Sequence, residues 1–147
     1  MLIEMTIKGL TVDPVTNMPI VILHDGQEKR VLPIWVGVFE ANAIALQIEN
    51  VHTPRPMTHD LLRNVISDLQ ATVERIVVCD VKDNTFFALI HLDTPAGHVA
   101  VDARPSDAIA LAVRVNAPIY VTEEVMDQAG LRPEEEVQLT GEEKTVG

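Results

Sequence analysis

Runs of β-branched and apolar residues occur in two groups of three along this chain, and helix-forming segments follow each group. Turn residues such as Asp25-Gly26 and Asp83-Asn84 separate the runs. Strands that are joined by such short turns usually pair with each other as antiparallel neighbours. The runs predicted as strands are residues 2–8, 20–23, 31–36, 73–81, 85–92 and 99–101. The pattern therefore predicts an α+β fold, a single domain of two antiparallel β-meanders each followed by helices.

Three segments have the composition and apolar spacing of helices. Residues 38–49 are rich in Glu, Ala, Leu and Gln, which favour helix. Residues 59–70 carry an apolar stripe and follow Thr58, which we expect to cap their first turn. Pro105 begins a third helix that is apolar on nearly every side, which predicts burial in the core.

The C-terminal part of the chain is predicted as a short strand, a helix and an acidic tail. The strand covers residues 119–121, and Thr122 begins the helix. We place the domain at residues 1–131 on this basis. Residues 132–147 are acidic and end in glycine, so we expect them to form a mobile tail.

The composition is that of a globular protein and argues against several other classes. Hydrophobic residues make up 47% of the 147 residues, which suits one domain with a packed core. The single cysteine, Cys79, excludes an internal disulfide, and no apolar run approaches the length of a membrane span. Because no export signal is visible, we expect a cytoplasmic protein without membrane contact.

The net charge of −11 restricts how such a chain can act on nucleic acid. An acidic protein repels a polyanion at long range and lacks the basic surface typical of nucleic-acid-binding proteins. The sequence also lacks a glycine-rich phosphate loop, a paired-histidine zinc motif and a serine nucleophile turn. Any contact with a polyanion must therefore depend on a local cluster or on a bound cation.

The first polar cluster, PRPMTHD, lies where a proline-rich loop meets the second predicted helix. Thr58, His59 and Asp60 occupy the first helical turn, where N–H groups are free and the helix dipole is positive. A phosphate can bind at such a helix end together with Arg55, while the imidazole of His59 offers a group that can exchange a proton. A purely structural alternative also fits, in which Thr58 caps the helix and Asp60 pairs with Arg63.

The second polar cluster, DARPSD, lies at the start of the apolar third helix. Asp102 and Asp107 can supply oxygen ligands to a hard cation such as Mg²⁺, and Arg104 can bind a phosphate. The alternative is a capping arrangement in which Arg104 pairs with one of these carboxylates; Ser106 lies in the same turn. Glu40, in the first turn of the first helix, either compensates the helix dipole or contributes to a carboxylate site.

Four motifs in a fixed order resemble one known family. They are LPIWVGVFEANAIA (32–45), PRPMTHDLL (54–62), TFFALI (85–90) and DARPSDAIALAVR (102–114). Over about residues 1–131 the chain resembles the bifunctional nuclease domain family, formerly a bacterial domain of unknown function. The resemblance implies an α+β domain that self-associates, with a polar groove that contains the matched side chains. These are Glu40, Arg55, Thr58, His59, Asp60, Arg104, Ser106 and Asp107.

The resemblance implies a nuclease that hydrolyses phosphodiester bonds in RNA and DNA, and we expect a divalent cation, Mg²⁺ or Mn²⁺, to assist it. The candidate catalytic residues are His59 as general acid or base, Asp107 and Glu40. The candidate substrate-binding residues are Arg55, Thr58, Arg104 and Ser106. The candidate metal ligands are Asp102, Asp107 and Asp60.

Two other interpretations remain open from the sequence. In one, both clusters are capping and ion-pair devices in a non-catalytic oligomeric module that binds a protein or a small anionic ligand. The acid excess and the scarcity of aromatic residues for base stacking favour this interpretation. In the other, the same residues hydrolyse a small phosphate ester. The helix that begins at Pro105 is apolar on nearly every side. We therefore expect a homo-oligomer, which would bury the surplus apolar surface.

Overall fold

The computed structural model describes residues 1–27 and 29–140. Three strands and two helices come first: β1 (Leu2–Val12), β2 (Pro19–Asp25), β3 (Val31–Trp35), α1 (Val38–Ile48) and α2 (Thr58–Asp68). The remaining elements are β4 (Thr72–Lys82), β5 (Thr85–Thr94), β6 (Gly97–Ala103), α3 (Pro105–Val115), β7 (Ile119–Thr122), α4 (Glu123–Ala129) and α5 (Pro133–Thr140). In the part of the chain so described, no helix has the length and apolar character that crossing a membrane requires.

The described strands form one seven-stranded sheet in the order β3-β2-β1-β7-β4-β5-β6. Both predicted meanders are confirmed, since β1-β2-β3 and β4-β5-β6 are each antiparallel neighbours. Strand β7 lies between them, antiparallel to β1 and parallel to β4. The short C-terminal strand thereby joins two local hairpin systems into a single α+β domain.

The core of the domain is aliphatic, and α3 lies at its centre. Residues 108–112 are completely buried, as the uniformly apolar sequence predicts. Helices α1 and α2 pack on α3, and α3 packs on β4 and β5. Among the aromatic side chains, Phe86 packs against this core, whereas Phe39 is 86% exposed. Trp35 lies on the edge strand β3, where its indole N–H donates to Asp13 at 2.9 Å.

A buried arginine connects the three central helices. Arg114 lies in the last turn of α3, and its side chain is 2% exposed. Its Nε donates to Asp60 Oδ1 of α2 at 2.7 Å, and its Nη2 donates to the Ala43 carbonyl of α1 at 2.9 Å. Nη1 donates to the Ala110 carbonyl at 2.8 Å. Each guanidinium nitrogen therefore has a partner, which is the condition for burying a charge.

The start of α2 differs from the prediction. The helix begins at Thr58 with Met57 in the N-cap position, so Thr58 does not cap it. Asp60 Oδ2 instead accepts a hydrogen bond from the Met57 N–H at 3.0 Å. The other Asp60 oxygen turns inward to Arg114 and not to Arg63, because the buried guanidinium needs an anionic partner.

The acidic segment after residue 131 is helical in its first part. It begins as helix α5, and Glu136 is only 9% exposed. The carboxylate of Glu136 accepts a hydrogen bond from Lys8 Nζ of β1 at 2.9 Å. The first turn of the expected mobile tail therefore contacts the sheet, while residues 141–147 of that tail lie outside the described residues.

Asp60→Asn should lower the free energy of unfolding by about 3 kcal/mol, because it leaves the buried charge of Arg114 without its anionic partner. The matched control Asp127→Asn removes a carboxylate from an exposed pair, 3.6 Å from Arg30, and should cost less than about 1 kcal/mol. Urea unfolding followed by circular dichroism measures both. Equal losses in the two variants would contradict a supporting role for the Arg114 pair.

Candidate functional site

The helices α1, α2 and α3 each carry a carboxylate at the third position from the start. These are Glu40, Asp60 and Asp107. Free N–H groups and the positive end of the helix dipole favour a negative side chain there. Two of the helix starts meet directly, because His59 of α2 contacts Asp107 of α3 across 48 residues of sequence.

Asp107 is the centre of the resulting cluster. Its Oδ1 accepts a hydrogen bond from His59 Nε2 at 2.8 Å, and its Oδ2 accepts one from Arg104 Nε at 2.9 Å. Arg104 Nη2 also lies 2.8 Å from Asp107 Oδ2 and donates to Glu40 Oε2 at 2.9 Å. We call Glu40, His59, Arg104 and Asp107 the helix-start cluster.

The members of the helix-start cluster differ in exposure, and hydrogen bonds fix the charge of two of them, Asp107 and Arg104. The side chain of His59 is 10% exposed and that of Arg104 is 65% exposed. Burial raises the pKa of Asp107, but hydrogen bonds from His59 and Arg104 outweigh burial and hold this pKa below 3.8. Hydrogen bonds to Asp107 and then to Glu40 raise the pKa of Arg104. Asp107 is therefore an anion and Arg104 a cation at neutral pH.

The helix-start cluster opens on a groove of about 820 Å³. This volume is within the range of sites that bind a small ligand or a few units of a polymer. Thr58 is a further polar residue at the groove. The wall is otherwise largely apolar, and its large side chains include Phe39, Met57, Leu61, Leu62, Val65 and Val101.

The geometry of the cluster permits acid–base chemistry. Because Nε2 of His59 donates to Asp107, the neutral imidazole carries its free lone pair on Nδ1. A carboxylate that orients a histidine in this way is a recurring arrangement in sites that use a general base. Arg104 keeps Nη1 without a hydrogen-bond partner among the described residues, so this donor is available to an anion.

Three of the predicted site residues lie away from the groove. Arg55 is on the loop before α2 and lines a separate depression together with Arg63. Ser106 is buried within the first turn of α3 and is 6% exposed. The carboxylate of Asp60 is bound to Arg114 and to the Met57 N–H. The structure therefore does not bring Arg55 and Arg104 to one phosphate-sized position.

Asp102 lies at the edge of the groove, but strand alternation directs its side chain elsewhere. In β6 the neighbouring Val101 pairs with Ile90, whose side chain faces the core. Side chains alternate across a strand, so Asp102 projects from the opposite face of the sheet. The predicted metal ligands Asp60, Asp102 and Asp107 therefore do not converge.

Gly37 supports the helix-start cluster and was missed as a site residue. It is the N-cap of α1, and a Cβ at this position would overlap Glu40 Oε1. The absence of a side chain lets the Glu40 carboxylate lie against the helix start, where its other oxygen accepts from Arg104. The signal in the sequence that indicates this supporting role is a glycine directly before a predicted helix.

Residues 21–134 match the family model described as the bifunctional nuclease domain. The chain belongs to the bifunctional nuclease domain family. The matched segment runs from β2 into α5 and contains all four residues of the helix-start cluster. The identification made from the four motifs is confirmed.

Relatives of this bifunctional nuclease domain occur in bacteria and plants. An uncharacterized protein of Mycobacterium tuberculosis is 42% identical over 128 residues, which cover 87% of this chain and 76% of that protein. Bifunctional nuclease 2 of Oryza sativa subsp. japonica is 27% identical over 137 residues, 90% of this chain and 42% of the rice protein. Bifunctional nuclease 2 of Arabidopsis thaliana is 28% identical over 104 residues, 69% of this chain and 32% of the relative. The chain thus spans less than half the length of these plant relatives.

The lowered pKa of Asp107 predicts that this carboxylate contributes to acid unfolding. Taking 3.8 for the unfolded chain, Asp107 stabilises the fold at higher pH, and that contribution is lost as pH falls through the lower folded pKa. Asp107→Asn should therefore unfold more easily at neutral pH and lose less stability on acidification. Urea unfolding in pH steps from about 6 to about 2 measures this slope. The same slope in both proteins would contradict the role given to the Asp107 hydrogen bonds.

Proposed function

We propose that this bifunctional nuclease domain hydrolyses phosphodiester bonds in RNA and DNA at the helix-start cluster. The observation that carries the proposal is that one carboxylate, Asp107, holds both a histidine and an exposed arginine at a single open groove. The histidine can move a proton and the arginine can stabilise charge on a phosphate. The plant relatives named bifunctional nuclease support this reaction class.

In this proposal His59 is the general base. Its Nδ1 takes a proton from the attacking water, and Asp107 stabilises the imidazolium that forms. The protonated ring then returns the proton to the leaving oxygen. DNA has no 2′-hydroxyl to act as an internal nucleophile, so a base that activates water serves both RNA and DNA. The His59 side chain is largely buried, and its hydrogen bond to Asp107 fixes the orientation of the ring.

Arg104 is the proposed phosphate-binding residue. The carboxylates of Glu40 and Asp107 hold two of its three guanidinium nitrogens, which orients the third toward solvent without the entropy cost of a free side chain. A guanidinium in this position can donate to a non-bridging oxygen and stabilise the charge that develops in the transition state. Glu40 is then a positioning residue that acts through Arg104.

We also propose that Mg²⁺ or Mn²⁺ assists the reaction. The helix-start cluster has two carboxylates and one guanidinium, so with neutral His59 it retains one negative charge that a phosphate would meet. Glu40 and Asp107 are the carboxylates at the groove that could hold such an ion, since Asp60 and Asp102 point elsewhere. When bound, the ion would supply charge neutralisation for the phosphate oxygens.

The variants His59→Gln and Arg104→Ala should each lower the rate of hydrolysis of single-stranded RNA and DNA about 100-fold or more. The Gln amide can still donate to Asp107 but cannot act as a base, so the fold is preserved while the chemistry is lost. Turnover of fluorescent oligonucleotides by highly purified protein, in Mg²⁺, Mn²⁺ or chelator, measures the effect.

The matched control is His24→Gln, which removes a histidine that is hydrogen-bonded to Thr6 on the β1–β2 hairpin. It should retain wild-type turnover. If wild type, His59→Gln and Arg104→Ala degrade both substrates at one rate, the activity comes from another site or from a contaminant. Turnover that is unchanged by chelator would remove the metal from the proposal and leave the His59 and Arg104 roles intact.

A second candidate function is a non-catalytic oligomeric module, and the apolar wall of the groove favours it. Phe39 is 86% exposed, Leu61 is 56% exposed and Val65 is 46% exposed, and all three line the groove. Such a contiguous apolar surface is typical of a face that another protein surface covers. In this candidate the face pairs with a second copy of the chain, and the helix-start cluster only holds the helices in register.

If this face joins two copies, Phe39→Ser and Leu61→Ser should shift the protein from a dimer or higher oligomer to a monomer. Light scattering after size-exclusion chromatography measures the mass. Leu69→Ser is the matched control, because Leu69 is 70% exposed and does not line the groove. A monomeric wild type, or an oligomer that persists in both groove variants, would contradict the module.

A further inference from the structure

A second group of titratable side chains lies on the sheet, away from the helix-start cluster. It contains Glu74 of β4, His91 of β5 and His98 of β6. One ligand atom from each of the three side chains lies within 4.8 Å of those from the other two. Among the residues that the structure describes, no other three His, Cys, Asp or Glu side chains meet in this way. We call this group the EHH triad.

The pleat of β5 places the EHH triad on the face opposite the core. Ile90 is buried and Leu92 packs against the core, so the intervening His91 projects from the other face. A β-bulge in β4 places Glu74 and Arg75 together opposite His91, because the register shifts between Val73 and Arg75. The triad is therefore separated from the proposed nuclease groove by the sheet itself.

Two imidazole nitrogens of the triad are already close enough to share one ion. His91 Nδ1 and His98 Nε2 lie 2.9 Å apart, and the two rings stack with centroids 5.1 Å apart. Two nitrogens bound tetrahedrally to Zn²⁺ at about 2.0–2.1 Å would be about 3.3 Å apart. The exchange of the shared proton for a metal ion therefore needs a movement of only a few tenths of an ångström.

The carboxylates around the histidines suit the same interpretation. Arg75 Nη1 donates to Glu74 Oε1 at 3.0 Å, which orients the carboxylate, and the same oxygen lies 3.9 Å from His98 Nδ1. His98 Nδ1 lies 3.5 Å from Asp93 Oδ1. A carboxylate on the far nitrogen of a metal-bound histidine is a common orienting partner. Glu74 and Asp93 outweigh the one positive charge of Arg75, so the neighbourhood favours a cation.

We propose that the EHH triad is a binding site for a divalent transition-metal ion of the zinc class. His91, His98 and Glu74 are the ligands, and Asp93 orients His98. Two imidazoles with one carboxylate form a ligand set that suits Zn²⁺ and Co²⁺, with the remaining coordination position open to water. This site is independent of the Mg²⁺ or Mn²⁺ that we propose at the groove, because the ligand types and the face of the sheet differ.

Titration of chelator-treated protein with Co²⁺ in excess Mg²⁺, which would fill the proposed groove site, tests the triad, since the visible absorption of Co²⁺ reports both binding and coordination number. We expect one ion per chain, and Zn²⁺ should displace it. His98→Ala should weaken binding at least tenfold, and Asp93→Asn should weaken it about tenfold. Calorimetric titration with Zn²⁺ gives the same order of affinities without relying on activity.

Two control variants separate this site from the rest of the molecule. His52→Ala removes an exposed histidine of the loop before α2 and should leave Co²⁺ binding unchanged. Asp107→Asn changes the helix-start cluster and should also leave it unchanged. Binding that survives His98→Ala, or that is lost in Asp107→Asn alone, would overturn the proposal, as would the absence of saturable binding at one ion per chain.

Discussion

The burial of one guanidinium constrains the arrangement of the whole helical layer. Arg114 must satisfy its three nitrogens inside the core, and it does so with one group from each of α1, α2 and α3. A displaced helix would leave a buried charge without a partner, which costs several kcal/mol. The contacts with Ala43 in the middle of α1 and with Asp60 in the first turn of α2 therefore fix these two helices relative to α3. The helix-start cluster forms because these helices are held together.

The same carboxylate position serves two different purposes in neighbouring helices. Asp60 and Asp107 both occupy the third position, where the helix dipole favours an anion. Asp60 points inward and neutralises a buried arginine, whereas Asp107 points to the groove and holds His59 and an exposed Arg104. The two pairs differ in the burial of the arginine: Arg114 is buried and its pair with Asp60 supports the fold, whereas Arg104 is exposed and its pair with Asp107 is open to a ligand.

Local sequence patterns predict the strands and helices, whereas the partners of the side chains depend on contacts between residues that are far apart in the sequence. The two meanders, the buried α3 and the cluster residues His59, Arg104 and Asp107 follow from alternation, apolar spacing and helix-start chemistry. The differences have a common cause: the sequence offers Arg63 of the same helix as an alternative partner for Asp60 and does not show that Arg114 approaches from another helix. The face of β6 on which Asp102 lies depends likewise on the register with β5. His91 and His98 meet only through that register.

The distribution of charge determines what kind of affinity the groove can provide. With a net charge of −11, the protein gains little from long-range attraction of a polyanion. The helix-start cluster offers one available guanidinium donor, and both neighbouring carboxylates oppose a phosphate. The wall of the groove is instead largely apolar, and the Phe39 side chain on this wall is largely exposed. Unpaired bases can stack on such a side chain, whereas a duplex presents mainly its phosphates. For the proposed nuclease, binding energy must therefore come from bases at the apolar wall, and Arg104 and the cation act on the single phosphate that is cleaved.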